Sequence, residues 1–93
     1  MQPAGAGARR VGHLIREARK RKHWSQDRLN DHIRRVAVLH AKPAASQESL
    51  KVMISRWENG KKIPDQYSRR LLSLALDVAP ETLGLPLDPL DDW

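Results

Sequence analysis

Polar and basic side chains recur at helical spacing between residues 48 and 59 of this 93-residue chain. At 100° per residue, one face of a helix here would carry six side chains, namely Glu48, Lys51, Val52, Ser55, Arg56 and Asn59. Arginine and lysine can donate to guanine O6 and N7 or to phosphate, serine can reach either, and valine can touch a thymine methyl group. The pattern indicates a nucleic-acid-binding face. The alternative is a charged face that only keeps the helix in solution, with Val52 as a stray exposed apolar residue.

The sequence contains none of the short motifs that mark common enzymes. It has no H-E-x-x-H, phosphate-binding loop, G-x-S-x-G or S-x-x-K pattern, and no cysteine. The four histidines, at positions 13, 23, 32 and 40, have no metal-ligand spacing. We therefore expect a protein that is not an enzyme and that needs no cofactor or metal.

Charge divides the chain into a basic body and an acidic tail. Residues 1–76 hold 17 basic and 6 acidic side chains, a net charge of +11, whereas residues 77–93 hold five acidic and no basic ones, which together give the formal +6. A basic body favours a polyanionic partner, either nucleic acid or a membrane surface. No run approaches the ~18 apolar residues of a membrane span, and cysteine is absent, so we expect a cytoplasmic protein, associated with the nucleoid if nucleic acid is the partner.

Apolar residues at i, i+3, i+4 and i+7 predict an all-α fold of five short helices. Helix 1 is expected over about 10–22 and helix 2 from the Ser25 cap to about 39. Helix 3 is expected between the Ser46 cap and Gly60. Pro64 is expected in the first turn of helix 4, and a short helix 5 should begin near residue 80. We expect a flexible tail over 1–9, one domain over 10–85 and an acidic-apolar tail over 86–93.

Several segments together resemble the Cro/lambda-repressor-like (XRE) helix-turn-helix family. They are residues 14–19, Trp24-Ser25-Gln26, Ile54-Ser55-Arg56-Trp57-Glu58-Asn59-Gly60-Lys61, Ile63-Pro64, and residues 71–83. The third segment is the most specific, because it matches the end of the family's recognition helix and the turn after it. The resemblance implies a five-helix lambda-repressor-like domain that binds specific double-stranded DNA and regulates transcription, with helix 3 in the major groove.

The resemblance also implies roles for individual residues. Base-edge and groove positions correspond to Lys51, Val52, Ser55 and Arg56, and DNA phosphate contacts correspond to Gln26, Asn59, Lys61 and Lys62. Arg19 and Glu58 match an ion pair of the fold that joins helix 1 to the end of helix 3. Trp57 is expected in the core.

One departure from the family pattern lies between helices 2 and 3. Gln26 and Ile54 are 28 positions apart, whereas the family spacing is about 14, which places an insertion at about 35–49. An elongated helix 2–helix 3 region with an ordered loop is expected. The insertion could add phosphate contacts through Arg35, His40 and Lys42, or it could lengthen the helices or pack at a subunit interface.

The expected assembly is a homodimer on a pseudo-palindromic DNA site, because one small domain reads few base pairs. The flanks allow further contacts: Arg9 and Arg10 could follow phosphates or enter a minor groove, and the tail over 86–93 could bind a protein partner. The main alternative function is a protein-interaction module, such as an antitoxin or co-regulator, whose basic face is incidental.

Overall fold

The computed structural model describes residues 4–85 and shows an all-α fold, as the periodicity predicts. The four α-helices are α1 (Ala4–Arg21), α2 (Gln26–Leu39), α3 (Gln47–Glu58) and α4 (Gln66–Leu76). The predicted fifth helix is a single 3-10 turn, Pro80–Leu83, rather than an α-helix. The predicted acidic-apolar tail, 86–93, and residues 1–3 lie outside the described residues.

Side-chain caps fix where three helices begin. Ser25 Oγ accepts a hydrogen bond from the Arg28 backbone N–H at 3.1 Å, and Ser46 Oγ accepts one from that of Ser49 at 3.2 Å. Asp65 caps α4 in the same way, so Pro64 precedes the helix instead of opening it. Each cap satisfies one backbone donor that the first helical turn leaves unpaired.

The core is aliphatic, with one tryptophan. α1 packs on α3, and α2 packs on both α3 and α4, while the 3-10 turn contacts α1 and α4. The fully buried aliphatic side chains are Ile15, Leu29, Ile33, Ile54, Leu72, Leu76, Leu83 and Leu85. Trp57 is also buried in this cluster. Each such side chain contributes roughly 1.5–3 kcal/mol through its removal from water.

Helix α1 begins six residues earlier than the sequence pattern predicts. Residues 4–9, which the sequence predicts as part of a flexible tail, are helical. Ala8 is buried, and Arg9 lies against Gly60. These tertiary contacts, together with the high helix propensity of alanine, extend the helix through a segment whose glycines suggested mobility.

Gly12 brings the backbone of α1 into contact with the end of α3. A Cβ atom at this position would lie 2.3 Å from the Trp57 carbonyl oxygen and 2.7 Å from that of Glu58. Only a residue without a side chain allows this separation. The contact sets the distance between α1 and the end of α3.

Residues 35–49, the predicted insertion, are shared between two helices and one connection. α2 runs to Leu39, α3 begins at Gln47, and residues 40–46 join them. The buried Asn30 side chain donates to the Gln47 carbonyl oxygen at 2.9 Å and accepts from Arg34 Nε at 2.9 Å. Tyr67 Oη donates to the Pro43 carbonyl oxygen and ties the connection to α4.

Candidate nucleic-acid interface

The outward face of α3 presents the side chains to which base contacts were assigned. Lys51, Val52 and Arg56 are exposed and Ser55 is half-buried. The opposite face buries Leu50, Ile54 and Trp57, so the helix is fixed to the core along one side only. Val52 has 51% of its surface exposed, which gives this face one apolar contact among polar ones.

Asn59 links this face to α1. It is the C-cap of α3, and its side-chain Nδ2 donates to Ser55 Oγ at 3.2 Å. Its Oδ1 accepts a hydrogen bond from Arg16 Nη2 at 3.2 Å. The two bonds fix which way the amide points and hold it beside the exposed face of α3.

A turn with two lysines follows α3. Gly60 has a φ of +70°, a left-handed conformation that glycine adopts without steric cost. The Lys61 backbone N–H then donates to the Arg56 carbonyl oxygen at 2.8 Å and closes the turn. Lys61 and Lys62 are both exposed directly beyond it, so the exposed face of α3 continues into a pair of positive charges.

A buried carboxylate lies behind the turn. The Glu58 side chain has no exposed surface and that of Arg19 is 12% exposed. Arg19 Nε donates to Glu58 Oε2 at 2.7 Å and Arg19 Nη2 donates to Oε1 at 2.9 Å. Arg19 also donates to the Trp24 carbonyl oxygen at 2.7 Å. The pair joins α1, the α1–α2 connection and the end of α3.

The environment of Glu58 favours its charged form. Burial raises the pKa of the carboxyl, but hydrogen bonds from Arg19, Gln26 and Arg16, with the positive charge of Arg19, outweigh burial and hold the pKa below its ordinary value. Hydrogen bonding to Glu58 raises the pKa of Arg19 in turn, against the opposing effect of burial. Both members of the pair are therefore charged at neutral pH.

Gln26 is placed differently from the other predicted phosphate ligands. It is the first residue of α2 and is half-buried, and its side-chain Nε2 donates to Glu58 Oε1 at 3.1 Å. An amide nitrogen carries two donors, so one N–H group is used within the protein and one remains for a ligand. The first turn of α2 adds backbone N–H groups and the positive end of the helix dipole.

Two arginines of α1, Arg16 and Arg9, make contacts at the end of α3 that the sequence does not predict. Arg16 donates to Glu58 Oε1 at 3.4 Å and to the Glu58 carbonyl oxygen at 3.3 Å, besides its bond to Asn59. In the sequence it was only a charged residue flanking an apolar stripe. Arg16 and Arg19 are three positions apart, which puts both on one side of the helix. That spacing is the sequence signal that the two arginines could share a partner. Arg9 contacts Gly60, and no local pattern indicates that.

The basic residues of segment 35–49 lie along the end of α2 and in the connection after it. Arg35 is paired with Asp31 on α2, with Nε 3.1 Å from Oδ2, and His40 forms the C-cap of the same helix. Lys42 is half-buried in the connection. The most exposed large apolar side chains among residues 4–85 are here as well: Val38 is 79% and Leu39 is 82% exposed.

A ring contact lies at the start of α2. The Trp24 and His32 rings are stacked, with centroids 4.0 Å apart and planes 11° from parallel, and Lys22 Nζ lies 5.3 Å from the Trp24 centroid. Burial, followed by the nearby charges of Arg28 and Arg35, lowers the pKa of His32. This group of residues packs the α1–α2 connection on α2.

Residues 4–85 hold neither a cluster of metal-ligand side chains nor a helix that could span a membrane. No group of three or more His, Asp or Glu side chains there is arranged to hold a metal ion. None of the helices in that range combines the length and the apolar composition needed to cross a bilayer.

Comparison with known proteins gives no relative from which a role could be transferred. No protein-family model, no curated protein and no solved structure matches the chain. The assignment of residues to a binding face therefore depends on the chain's own sequence and geometry.

Proposed function

We propose that this protein is a sequence-specific double-stranded DNA-binding regulator of transcription, with a lambda-repressor-like helix-turn-helix architecture. The observation that carries the proposal is the continuous surface formed by the outward face of α3 and the lysine turn that follows it. It combines base-reading side chain types on a helix with positive charges at its end, and it is anchored from behind by a buried ion pair.

The dimensions of α3 suit the major groove. Twelve residues give a helix about 18 Å long, and a major groove about 12 Å wide admits one helix. In this arrangement Lys51 and Arg56 donate to guanine edges or phosphate, and Val52 contacts a thymine methyl group. Ser55 adds one short-range hydrogen bond.

Phosphate contacts would set the register of α3 in the groove. Lys61, Lys62 and Asn59 lie at one end of the helix, and the N-terminus of α2 with Gln26 provides a second anchor. Such contacts position the protein without reading sequence. The net charge of +11 over residues 1–76 adds long-range attraction to DNA.

We further propose that the regulator binds as a homodimer through the C-terminal end of α2, where Val38 and Leu39 are exposed. The Asp31–Arg35 ion pair lies about one turn before this end of the helix, with Arg35 Nε 3.1 Å from Asp31 Oδ2. A two-fold axis places each exposed apolar patch against its own copy. The insertion would then provide the subunit contact.

Selection of bound duplexes from random DNA, followed by affinity measurements on the selected site, tests the proposed function. We expect Arg56→Ala to cost about 1–3 kcal/mol on the selected site and to relax preference at one base pair. Lys61→Ala should weaken selected and unrelated duplexes equally, and it should reduce the slope of log K against log salt by about 1. These two residues separate base reading from phosphate binding.

Arg21→Ala is the matched control, because Arg21 is an exposed arginine at the far end of α1. It should leave base preference unchanged. Failure to enrich any sequence, or an Arg56→Ala variant that retains wild-type selectivity, would show that α3 does not read DNA.

A further inference from the structure

One face of α1 carries a line of basic side chains. Arg9, His13, Arg16 and Lys20 are spaced by four, three and four residues, which places them within an arc of about 60°. Arg9, His13 and Lys20 are exposed, and the Arg16 side chain is 37% exposed. We name these four residues the α1 ridge.

The α1 ridge is continuous with the proposed DNA interface. Arg16 donates to Asn59, and Asn59 donates to Ser55 on the outward face of α3. Arg9, two turns before Arg16 on α1, lies close to Gly60. A Cβ atom placed on Gly60 would be 2.8 Å from Arg9 Cγ and 3.0 Å from Arg9 Cα. Arg9 therefore lies beside the residue that precedes Lys61.

The members of the ridge differ in what they already bind. Arg16 is held by Glu58 and Asn59. Arg9 and His13 form no ion pair within residues 4–85. The acidic residue of α1, Glu17, lies about 80° around the axis from Arg9, but it is about 40° and one turn from His13. The Arg9 end of the ridge is thus positively charged at the edge of the lysine turn, and His13 adds a ring N–H donor beside it.

We propose that Arg9 and His13 form a second phosphate-binding track. They contact the phosphates of the DNA strand that lie beyond those bound by Lys61. The track rests on the proposed function and extends the site from α3 and its turn onto α1. Arg9 and His13 are about 6 Å apart along the helix axis at 1.5 Å per residue. That length matches the axial rise of about two phosphates of one strand.

The position of Arg9 on a helix supports the track. Arg9 is held in a regular turn of α1, with Ala8 buried beside it. A side chain presented from a packed helix loses less conformational freedom on binding than one in a mobile segment. The early start of α1 thereby places a cation where the interface continues.

The experiment measures affinity for the selected duplex and an unrelated duplex over a range of salt concentrations. Arg9→Gln should lower the slope of log K against log salt by about 1 and weaken both duplexes by up to about fivefold. Arg9→Gln with His13→Gln should weaken both further without changing base preference. Arg9→Lys, which keeps the charge, should restore the wild-type slope.

Arg21→Gln provides the control within the same helix, because Arg21 lies about 120° around the axis from Arg9. It should leave the slope unchanged. If Arg56→Ala impairs binding but Arg9→Gln keeps the wild-type slope, the track is wrong and the proposed function stands. If the wild-type chain shows no salt-dependent binding to DNA, both are wrong. Equal thermal melting of the variants and wild type shows that each one folds.

Discussion

Glu58 is a buried carboxylate whose two oxygens accept four hydrogen bonds, from Arg16, Arg19 and Gln26. A buried pair of charges adds little net stability, because desolvation offsets much of the attraction. The pair instead fixes the positions of the helices, because its donors come from α1 and from the first residue of α2 and its acceptor is the last residue of α3. The pair fixes the end of the proposed recognition helix relative to the helix that precedes it.

Removal of one partner should therefore be costly. Arg19→Met is expected to lower the free energy of unfolding by about 3–5 kcal/mol at pH 7, because it leaves a buried charge without its main partner. Urea unfolding followed by circular dichroism measures the loss. Arg19→Met combined with Glu58→Leu should recover part of it, and a single variant as stable as wild type would show that the pair is dispensable.

The same pair gives a pH dependence of defined sign. The pKa of Glu58 is lowered by folding, so its stabilising contribution is complete above the ordinary carboxyl pKa and is lost as pH falls through the folded value. Acidification should therefore destabilise the wild type. The difference between wild type and Arg19→Met should shrink over the same range, because protonation relieves the unpaired charge in the variant.

At the level of helices, the crossing of α1 and α3 depends on Gly12. The two carbonyl groups that face it belong to the last turn of α3, and Arg16, one turn further along α1, donates to one of them. Backbone contact and side-chain hydrogen bonding thus occur at the same crossing. A shift of α1 would move the turn that carries Asn59 and Lys61.

Gly12→Ala and Gly7→Ala form a matched pair that tests this crossing. Alanine favours a helix over glycine by up to about 1 kcal/mol, and nothing lies within 4 Å of a Cβ atom at Gly7. Gly7→Ala should therefore stabilise the protein slightly. Gly12→Ala should destabilise it by roughly 1–3 kcal/mol, because the new methyl group meets backbone that cannot move aside easily. Similar melting temperatures for the two variants would contradict the close approach.

For the molecule as a whole, the local signals in the sequence predict much of the fold. Apolar spacing locates four helices, and Ser25 and Ser46 mark the starts of two of them. The periodicity of 48–59 also separates the buried from the exposed side of α3, which is why the outward residues could be named in advance. These features depend on neighbours within one or two turns.

The features that the sequence did not predict all depend on contacts between distant residues. Burial of Ala8 and the contact of Arg9 with Gly60 extend α1, and neither contact has a local signature. Asn30 is a polar residue at a buried helix position, and its bond to Gln47 spans 17 positions. The family resemblance assigned Gln26 to DNA alone, whereas its bond to Glu58 spans 32 positions and has no local signature.

The proposed dimer contact at the end of α2 predicts that substitutions there weaken self-association of the protein. Leu39→Ser should weaken self-association by at least about tenfold, since each subunit loses one large apolar side chain from the contact. Leu74→Ser, at another exposed leucine, should not. Sedimentation over a range of concentrations measures both, and a wild-type chain that stays monomeric on its selected DNA site would refute the contact.

The hydrogen-bonded series from Ser55 through Asn59 to Arg16 has a consequence for the kinetics of binding. Side chains that are already oriented need little rearrangement when a partner arrives, so encounter is governed mainly by diffusion and charge. Association rates should then be similar for good and poor DNA sequences and should fall as salt increases. Discrimination between sequences would be expressed in how long each complex lasts.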